Sequence, residues 1–523
     1  MNHKLYPWQS SCLKRWFAND GRGIVQAVTG SGKTFLALTA AWQLEQKLGK
    51  TLHVKIVVPT SSLLWQWNRA LREFIRSSGR PHKKIGLRGD GCKSSADCPY
   101  MIYVINSARY ELARQILSEI RQGKPVLLIA DECHHYTSGQ NQLIFEFLPY
   151  IEEYPSHFFS LGLTATLPSG QAEKDLCAFL GKKIFTYGMS EASASHTICQ
   201  YDIFHIELEF QADERNAYDE LTEQLRLFYA KLLQRHPVLS DLGSKERFEL
   251  LKRLCSDKDP ETARLAAAWL GLIFKRKNLV CLASARILCA CSLVRQLTDQ
   301  GTPGERILIF GERIGQANDL FRQLSAQYPE RVGRYHSQMG PQANRNTLER
   351  FRSGELRILI ACKSMDEGID VPDASVGIIL SGTSAQRQRI QRLGRIIRRQ
   401  EGKKRALLYY LHLDGTSEES FFLPEHGETR SFDLKFCSAD QSFFHPAYET
   451  AAETYMRRLW CKGADSKQLQ EARQCLQAGY VRPDWLLDQK EAEQRVREAT
   501  SVHNRNYWIC MKNLSASADR TRQ

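Results

Sequence analysis

Residues 27–34 read Ala-Val-Thr-Gly-Ser-Gly-Lys-Thr and follow directly on the apolar stretch Gly-Ile-Val-Gln at residues 23–26. This order predicts a strand, a glycine-rich loop and the start of a helix, which together form a binding site for phosphate groups. The pattern departs from G-x-x-x-x-G-K-[ST] at its first position, where Ala27 stands, and a small residue can still make that turn. The segment therefore predicts an α/β fold that binds a nucleoside triphosphate.

The residues of this loop have separate predicted roles. Backbone N–H groups around Gly30 and Gly32 surround the β-phosphate, and the Lys33 ammonium contacts the β- and γ-oxygens. Thr34 offers its hydroxyl to Mg²⁺ at the positive end of the following helix. The predicted nucleotide-binding residues of the loop are Thr29, Gly30, Ser31, Gly32, Lys33 and Thr34.

A second apolar run ends in two adjacent carboxylates. Residues 126–130 read Val-Leu-Leu-Ile-Ala, which is too continuous for a half-exposed strand, and Asp131 and Glu132 follow. The run predicts a buried parallel strand, and ligands of open α/β sheets bind at the carboxyl ends of such strands. We therefore expect Asp131 to hold the metal and Glu132 to polarise the water that attacks the phosphate.

Apolar strands alternate with helical stretches in two separate blocks of the chain, which predicts two doubly wound parallel sheets. Between the blocks, leucine and alanine recur at three- and four-residue spacing, which predicts helices. The 523 residues are enough for about three or four domains. The predicted division is a first lobe at residues 1–205, a helical insertion at 206–300, a second lobe at 301–415 and a mainly helical accessory region at 416–523.

Seven short motifs occur in the order found in superfamily 2 helicases and translocases, and the chain resembles that family over residues 5–398. The motif style is closest to the XPB-type repair helicases and the type III restriction motors, and a cysteine, Cys133, stands at the third place of the DEAH-type box. The matching segments are residues 5–9 (Q-like motif), 27–34 (motif I), 58–60 with 64–67 (Ia), 131–134 (II), 163–166 (III), 366–372 (V) and 391–398 (VI).

The resemblance implies two RecA-like lobes with the nucleotide between them. Arg395 and Arg398 are three residues apart, on one face of a helix, and would be arginine fingers that face the γ-phosphate from the second lobe. Gln391 precedes Arg395 by one helical turn and would contact the γ-phosphate or the water. Alternatively, these arginines belong to a solvated basic face. The predicted catalytic residues are Lys33, Asp131, Glu132, Gln391, Arg395 and Arg398.

Three further residues are predicted to contact or support the nucleotide. Gln9 is interpreted as the base selector, because a carboxamide can pair with both the donor and the acceptor on the N6/N7 edge of adenine. By resemblance, Asp370 would hydrogen-bond the ribose or the opposing arginine, and Gly368 keeps that loop compact. The expected cofactors are ATP, in preference to GTP, and Mg²⁺.

The charge balance favours a polyanionic partner, since 72 Lys and Arg against 58 Asp and Glu give a net charge of +14. A motor that steps along a strand cannot depend on base identity, so we expect contacts mostly to phosphates. The candidate nucleic-acid residues are Pro59, Thr60, Asn106, Ser107, Arg109, His336, Lys363 and Ser364. By resemblance, His134, Thr164 and Thr166 would couple nucleic-acid binding to the nucleotide site.

The cysteines and the termini indicate a cytoplasmic chain. Fifteen cysteines without a C-x-x-C pair favour reduced, buried thiols over a zinc site. Neither a signal peptide nor an apolar run long enough to span a bilayer is evident, so no membrane partner is expected. Asp433 and Lys435 fit the D-x-K end of a nuclease motif, but no partner acid on a preceding strand accompanies them.

The function favoured by these observations is an ATP-dependent DNA helicase or duplex-DNA translocase, with DNA favoured over RNA as its partner. The alternatives are an RNA helicase, or a nucleotide-switched motor subunit of a defence or repair complex that remodels a protein partner. Protein partners, if any, would bind through the C-terminal region at residues 416–523.

Overall fold

The computed structural model places most of the chain in two sheet-centred lobes. The described residues are 5–77, 84–95, 97–154, 156–299, 306–362, 374–381, 405–416, 418, 430–444, 467–468, 471, 485–499, 507–509, 511–512 and 514–516.

The first lobe is built on an eight-stranded sheet in the order β4-β3-β5-β2-β6-β7-β1-β8, in which only the β3–β4 pair is antiparallel. The continuous apolar runs in the sequence belong to its central strands, as expected for parallel strands that are covered on both faces. The strands are β1 Arg22–Ala27, β2 His53–Val58, β3 Ile85–Gly89, β4 Cys92–Lys93, β5 Tyr100–Val104, β6 Val126–Ala130, β7 Phe158–Thr164 and β8 Lys183–Tyr187.

Helices cover both faces of the first sheet. Because neighbouring residues along a strand point to opposite faces, Ile56 joins the core under the α2 and α3 helices, and Val57 joins the core under α4. The helices of this lobe are α1 Pro7–Ala18, α2 Lys33–Leu48, α3 Ser61–Ser77, α4 Ile105–Arg121, α5 Gly139–Gln142, α6 Gln171–Leu180 and α7 Met189–Ala194.

The second lobe has its own eight-stranded sheet, in the order β11-β12-β10-β13-β14-β9-β15-β16. All of its pairs are parallel except β15–β16. The strands are β9 Gln200–Leu208, β10 Ile307–Gly311, β11 Val332–Tyr335, β12 Ile358–Cys362, β13 Val376–Ile379, β14 Arg405–Leu413, β15 Arg430–Cys437 and β16 Ser442–Phe444.

The strand composition of the second sheet corrects two predicted boundaries. The boundary at residue 205 falls inside β9, which is a strand of the second sheet, and that sheet continues beyond residue 415 through β15 and β16. Asp202 on β9 is buried and forms ion pairs of 2.7 Å with Arg405 and 2.9 Å with Arg430. These partners are distant in sequence, so local patterns could not assign β9 to its sheet.

The segment between β9 and β10 is helical, as predicted. Its first three helices have a separate small core that includes Leu232, Leu251 and Leu265. The fourth helix, α11, instead packs on the second sheet through Cys289 and Val294. The helices of this segment and of the remaining chain are α8 Ala212–Arg235, α9 Ser244–Leu254, α10 Pro260–Leu282, α11 Ser284–Asp299, α12 Ile314–Gln327, α13 Pro341–Ser353 and α14 Gln489–Glu498.

The stretch Pro260–Asp299, which spans α10 and α11, is long and apolar enough to cross a membrane by length and composition. This differs from the prediction that no such run exists. The most apolar window of the stretch is 56% buried, and the two helices are separated at Ala283. Core helices have the same composition, and packing against α8 and the second sheet accounts for the buried apolar side chains of this stretch.

A buried ion pair joins the centre of the first sheet to α4. The Nζ of Lys55 on β2 is fully buried and lies 2.7 Å from Oε1 of Glu119, which also lies 3.3 Å from Nδ1 of His53. Burial lowers the pKa of Lys55, and the adjacent Glu119 carboxylate opposes that shift. The carboxylate is therefore what makes a charged lysine tolerable in this position.

We expect Glu119→Gln to lower the free energy of unfolding by about 3 kcal/mol, because it leaves the Lys55 ammonium buried without a counter-charge. Urea denaturation followed by circular dichroism measures the change. Glu249→Gln is the matched control, since the Glu249–Lys252 pair is exposed and contributes about 0–1 kcal/mol. Equal effects of the two substitutions would contradict the expectation.

Candidate active site

The glycine-rich loop connects β1 to α2 and has the backbone that its sequence requires. Gly30 and Gly32 have φ values of +86° and +91°, which side-chain-bearing residues rarely adopt. A Cβ at Gly32 would also lie 2.8 Å from Nε2 of Gln9. Both positions therefore need glycine, and the loop turns tightly enough for its N–H groups to face one anion.

The polar groups of the loop fit a phosphate ligand. Among the described residues, the buried Oγ1 of Thr29 has no hydrogen-bond partner. Nζ of Lys33 donates to the carbonyl oxygen of Ala27 at 2.9 Å and lies 3.5 Å from that of Val28, while Oγ of Ser31 donates to Val28 at 2.7 Å. The Lys33 ammonium therefore lies against the loop and is bound only by neutral carbonyl oxygens. Charged phosphate oxygens can replace these carbonyls as its acceptors.

Asp131 lies directly after β6, and both of its carboxylate oxygens are held. Oδ1 accepts the backbone N–H of Glu132 at 3.0 Å, and Oδ2 accepts the indole N–H of Trp67 at 2.7 Å. Burial and the charge of Glu132 raise the pKa of Asp131 to about 6, while Trp67 and Lys33 act in the opposite direction. Strands β1 and β6 flank β7 in a parallel arrangement, so the phosphate loop after β1 and the acidic pair after β6 lie at the same, carboxyl edge of the sheet.

Glu132 adopts the left-handed conformation, with φ +45° and ψ +53°. This conformation is costly for a residue with a side chain and is typical of functional turns. Tyr136 stabilises the turn, because its buried hydroxyl lies 2.8 Å from the carbonyl oxygens of both Val57 and Asp131, to which it can donate. The strand ends of β2 and β6 are therefore tied together at the acidic pair.

The three predicted coupling residues lie together behind Glu132. Nδ1 of His134 is 2.9 Å from Oγ1 of Thr164 and 3.4 Å from Oε2 of Glu132. Oγ1 of Thr164 also donates to the carbonyl oxygen of Thr166 at 2.9 Å. His134 and Thr164 are buried. The structure thus brings these residues together, and their coupling role stays a prediction.

Gln9 ties α1 to the phosphate loop. Its Oε1 accepts the backbone N–H of Tyr6 at 2.9 Å, and its Nε2 donates to the carbonyl oxygen of Gly32 at 3.1 Å. The side chain is buried next to the loop, so contact with an adenine base stays a prediction. The neighbouring Trp8 is buried and stacks on Tyr187 at a centroid distance of 4.6 Å, which makes it a core residue.

The first-lobe nucleic-acid candidates lie on one edge of the first sheet. Pro59 and Thr60 follow β2, and Asn106, Ser107 and Arg109 lie in the first turns of α4, which follows β5. Strands β2 and β5 are adjacent and parallel, so their carboxyl ends meet at this edge.

Arg109 is held in place within that set. It donates to Oδ1 of Asn106 and, at 2.9 Å, to Oε1 of Gln140. Arg109 and Asn106, both predicted to bind nucleic acid, are therefore in contact with each other. Gln140 joins them, although the sequence pattern did not indicate it.

His336, a candidate in the second lobe, has a buried side chain. The side chain lies after β11, with Nε2 3.2 Å from Oδ1 of Asn318. Burial, together with the charge of Arg334, lowers the pKa of His336. The contact of His336 with nucleic acid stays a prediction.

Several predicted site residues have no structural account, because they lie outside the described residues. They are Lys363, Ser364, Gly368, Asp370, Gln391, Arg395 and Arg398.

Trp67 and Tyr136 are the site residues that sequence reasoning missed. Trp67 belongs to the buried face of α3, with Leu64 and Leu71, so its spacing is that of an ordinary core residue. Its position in motif Ia was the one signal that could have directed attention to it. Tyr136 follows Glu132 by four residues, and its aromatic side chain gave no sign of a role in the turn.

Other candidate sites in the described part of the chain lie away from these residues. A cluster of carboxylates with metal-ligand spacing consists of Glu207, Glu209 and Asp414. Asp433 and Lys435 lie on β15, where Lys435 pairs with Glu207 at 3.1 Å. A cavity of about 1280 Å³ opens at the other edge of the first lobe, lined by residues that include Phe17, Arg22 and Phe158.

Two family descriptions match the chain. Residues 2–169 match "Type III restriction enzyme, res subunit", and residues 287–400 match "Helicase conserved C-terminal domain". The first match covers the phosphate loop and the acidic pair, and the second covers strands β10 to β13 of the second lobe.

Curated relatives show similarity over both lobes. The chain is 28% identical over 419 residues to the DNA 3'-5' translocase XPB2 of Sulfurisphaera tokodaii, covering 79% of this chain and 83% of the relative. It is 22% identical over 432 residues to the DNA 3'-5' helicase XPB of Kineococcus radiotolerans, covering 81% of this chain and 63% of that one. The chain thus spans less than two thirds of the length of some relatives that it matches.

Solved structures share the arrangement of the sheets. The ATP-dependent Type ISP restriction-modification enzyme LlaBIII bound to DNA superposes with a TM-score of 0.50, covering 98% of this chain and 33% of that enzyme. At 14% identity, this similarity concerns the fold alone.

Proposed function

This chain belongs to superfamily 2 of the helicases and translocases, in the branch of the XPB-type helicases and the restriction motors, and we propose that it moves along or unwinds duplex DNA. It is an ATP-hydrolysing enzyme. The observation that carries the proposal is geometric: the loop with Lys33 and the pair Asp131 and Glu132 follow parallel strands of the first sheet, so they lie at the same edge as the predicted nucleic-acid loops.

Binding of the nucleotide begins at the phosphate loop. The N–H groups around Gly30 and Gly32 surround the β-phosphate, and Lys33 moves its donors from the loop carbonyls to the β- and γ-oxygens. Mg²⁺ would be held by the Thr34 hydroxyl and the Asp131 carboxylate, and it neutralises charge on the phosphates when bound. Asp131 fits this task because each of its oxygens has a lone pair left beside its single hydrogen bond.

Hydrolysis uses the second carboxylate of the DEAH-type box. Glu132 orients the attacking water and accepts its proton. From the second lobe, Arg395 and Arg398 stabilise charge on the departing γ-phosphate, assisted by Gln391. Asp370 and Gly368 would complete the nucleotide side of that lobe.

Nucleic acid is gripped mainly through its phosphates. Thr60, Asn106, Ser107 and Arg109 supply hydroxyl, amide and guanidinium donors on the first lobe, and Lys363 and Ser364 would supply the second grip. The net charge of +14 strengthens any such contact at low salt. ATP closes the cleft and shifts one grip relative to the other, with His134, Thr164 and Thr166 transmitting the change.

A cytoplasmic location of the protein is also part of the proposal.

Steady-state ATPase measured with duplex DNA, single-stranded DNA and RNA tests the proposal. We expect the largest stimulation with duplex DNA. Lys33→Ala is the control for contaminating activity, because loss of the charge at the phosphates should slow turnover roughly 10²-fold or more. Strongest stimulation by RNA would replace the proposal by an RNA helicase. No stimulation by any nucleic acid would replace it by a nucleotide-switched subunit that acts on a protein partner.

A further inference from the structure

The indole of Trp67 is a direct connection between a helix and the acidic pair. Trp67 is 1% exposed, and its N–H donates a buried hydrogen bond of 2.7 Å to Oδ2 of Asp131. The other oxygen, Oδ1, is held by the backbone N–H of Glu132. The plane and orientation of the Asp131 carboxylate are therefore set by one backbone group and one side chain from α3.

Helix α3 starts at the predicted nucleic-acid loop. It begins at Ser61, immediately after Pro59 and Thr60. The backbone N–H of Leu64 donates to the carbonyl oxygen of Thr60 at 3.1 Å, and that of Leu63 approaches Oγ1 of Thr60 at 3.4 Å. The loop is thus hydrogen-bonded into the first turn of the helix. A displacement of the loop must be shared by the helix that carries Trp67.

We propose that Trp67 is a positioning residue through which nucleic acid bound at residues 59–60 sets the orientation of the Asp131 carboxylate. The path is short: from Thr60 it runs along two turns of one helix and through one hydrogen bond. It differs from the route through His134 and Thr164, which reaches the acidic box from β7. This inference rests on the proposed function, because it needs a nucleic acid that binds at the loop.

A second buried tryptophan distinguishes this role from a merely structural one. A buried indole N–H needs an acceptor wherever it lies. Trp16 is also 1% exposed, and its N–H donates to the carbonyl oxygen of Ser160 at 3.0 Å within the same lobe. Trp16→Phe therefore removes an equivalent hydrogen bond without touching Asp131 or α3, which makes it the matched control for Trp67→Phe.

The experiment measures the coupling between two binding events. Affinity for labelled duplex DNA is determined by fluorescence anisotropy with and without Mg²⁺ and a non-hydrolysable ATP analogue. Coupling is reciprocal, so the ratio of the two affinities reports it without any turnover. We expect a ratio of about tenfold or more, in either direction, for the natural chain and for Trp16→Phe. For Trp67→Phe we expect a ratio within about twofold of unity, and a parallel loss of DNA-stimulated ATPase.

The outcomes separate this inference from the proposed function. A natural chain that shows neither coupling nor stimulation by DNA contradicts the proposed function. A natural chain that shows both, with an unchanged coupling ratio in Trp67→Phe, overturns the role of Trp67. Loss of coupling in Trp16→Phe as well would assign the effect to weakened packing and would overturn it too.

If thermal melting shows that Trp67→Phe does not fold, site-specific replacement of Trp67 by benzothienylalanine keeps the shape of the ring and removes only the N–H. The same loss of coupling is expected for that variant. Retained coupling would refute the proposal.

Discussion

Glu132→Gln is expected to bind ATP with nearly normal affinity and to hydrolyse it about 10³-fold more slowly than the natural chain. Glutamine keeps the size of the side chain and its contact with His134, but it cannot accept a proton from water. Glutamine also places no new demand on the left-handed backbone, because both residues carry the same Cβ. Single-turnover hydrolysis, with nucleotide binding measured separately, checks the expectation.

Comparison with Asp131→Ala distinguishes a carboxylate that holds Mg²⁺ from one that accepts a proton from water. The Asp131 carboxylate would hold Mg²⁺, so its removal should weaken binding of the Mg²⁺–nucleotide complex as well as turnover. In addition, Glu132→Gln should retain DNA in the ATP-bound state. Equal losses of ATP affinity in the two variants would show that the two carboxylates do not have the separate roles assigned to them.

Arg395→Ala and Arg398→Ala should reduce turnover, by about 10³-fold or more for the stronger of the two, with ATP affinity much less changed. Both lie more than 250 positions after Asp131 in the sequence. They can affect hydrolysis only if the second lobe faces the nucleotide. Their charge matters most as the γ-phosphate departs, which is why turnover should suffer more than binding. Steady-state ATPase at saturating ATP measures the effect.

The basic stretch around these two arginines supplies its own control. Arg399→Ala removes an equal charge from the same run of sequence. A solvated basic face predicts that all three variants keep normal ATPase and bind DNA more weakly, with a shallower dependence on salt. Arginine fingers predict that Arg399→Ala alone keeps normal turnover. Unaltered turnover in both Arg395→Ala and Arg398→Ala would remove the main support for an interlobe mechanism.

The sequence by itself determined where the phosphate loop and the acidic pair of the first lobe lie along the chain. Strand, glycine-rich loop and helix start occur within about a dozen consecutive residues at 23–34, and the acidic pair directly follows its strand. Such features are local, because each depends on backbone conformation and on side chains a few positions apart. For the same reason, alternation of apolar runs and helical spacing was enough to predict two doubly wound sheets and a helical segment between them.

Only the tertiary structure decided which distant segments meet. It assigned β9 to the second sheet through Asp202 and its arginine partners, and it placed Trp67 against Asp131, 64 positions away. A strand that is buried on both faces has the same apolar pattern in either sheet. A tryptophan on the buried face of a helix likewise has the same spacing whether its N–H meets a backbone carbonyl or the carboxylate of Asp131. These choices depend on three-dimensional complementarity of hydrogen-bonding groups, which local sequence does not record.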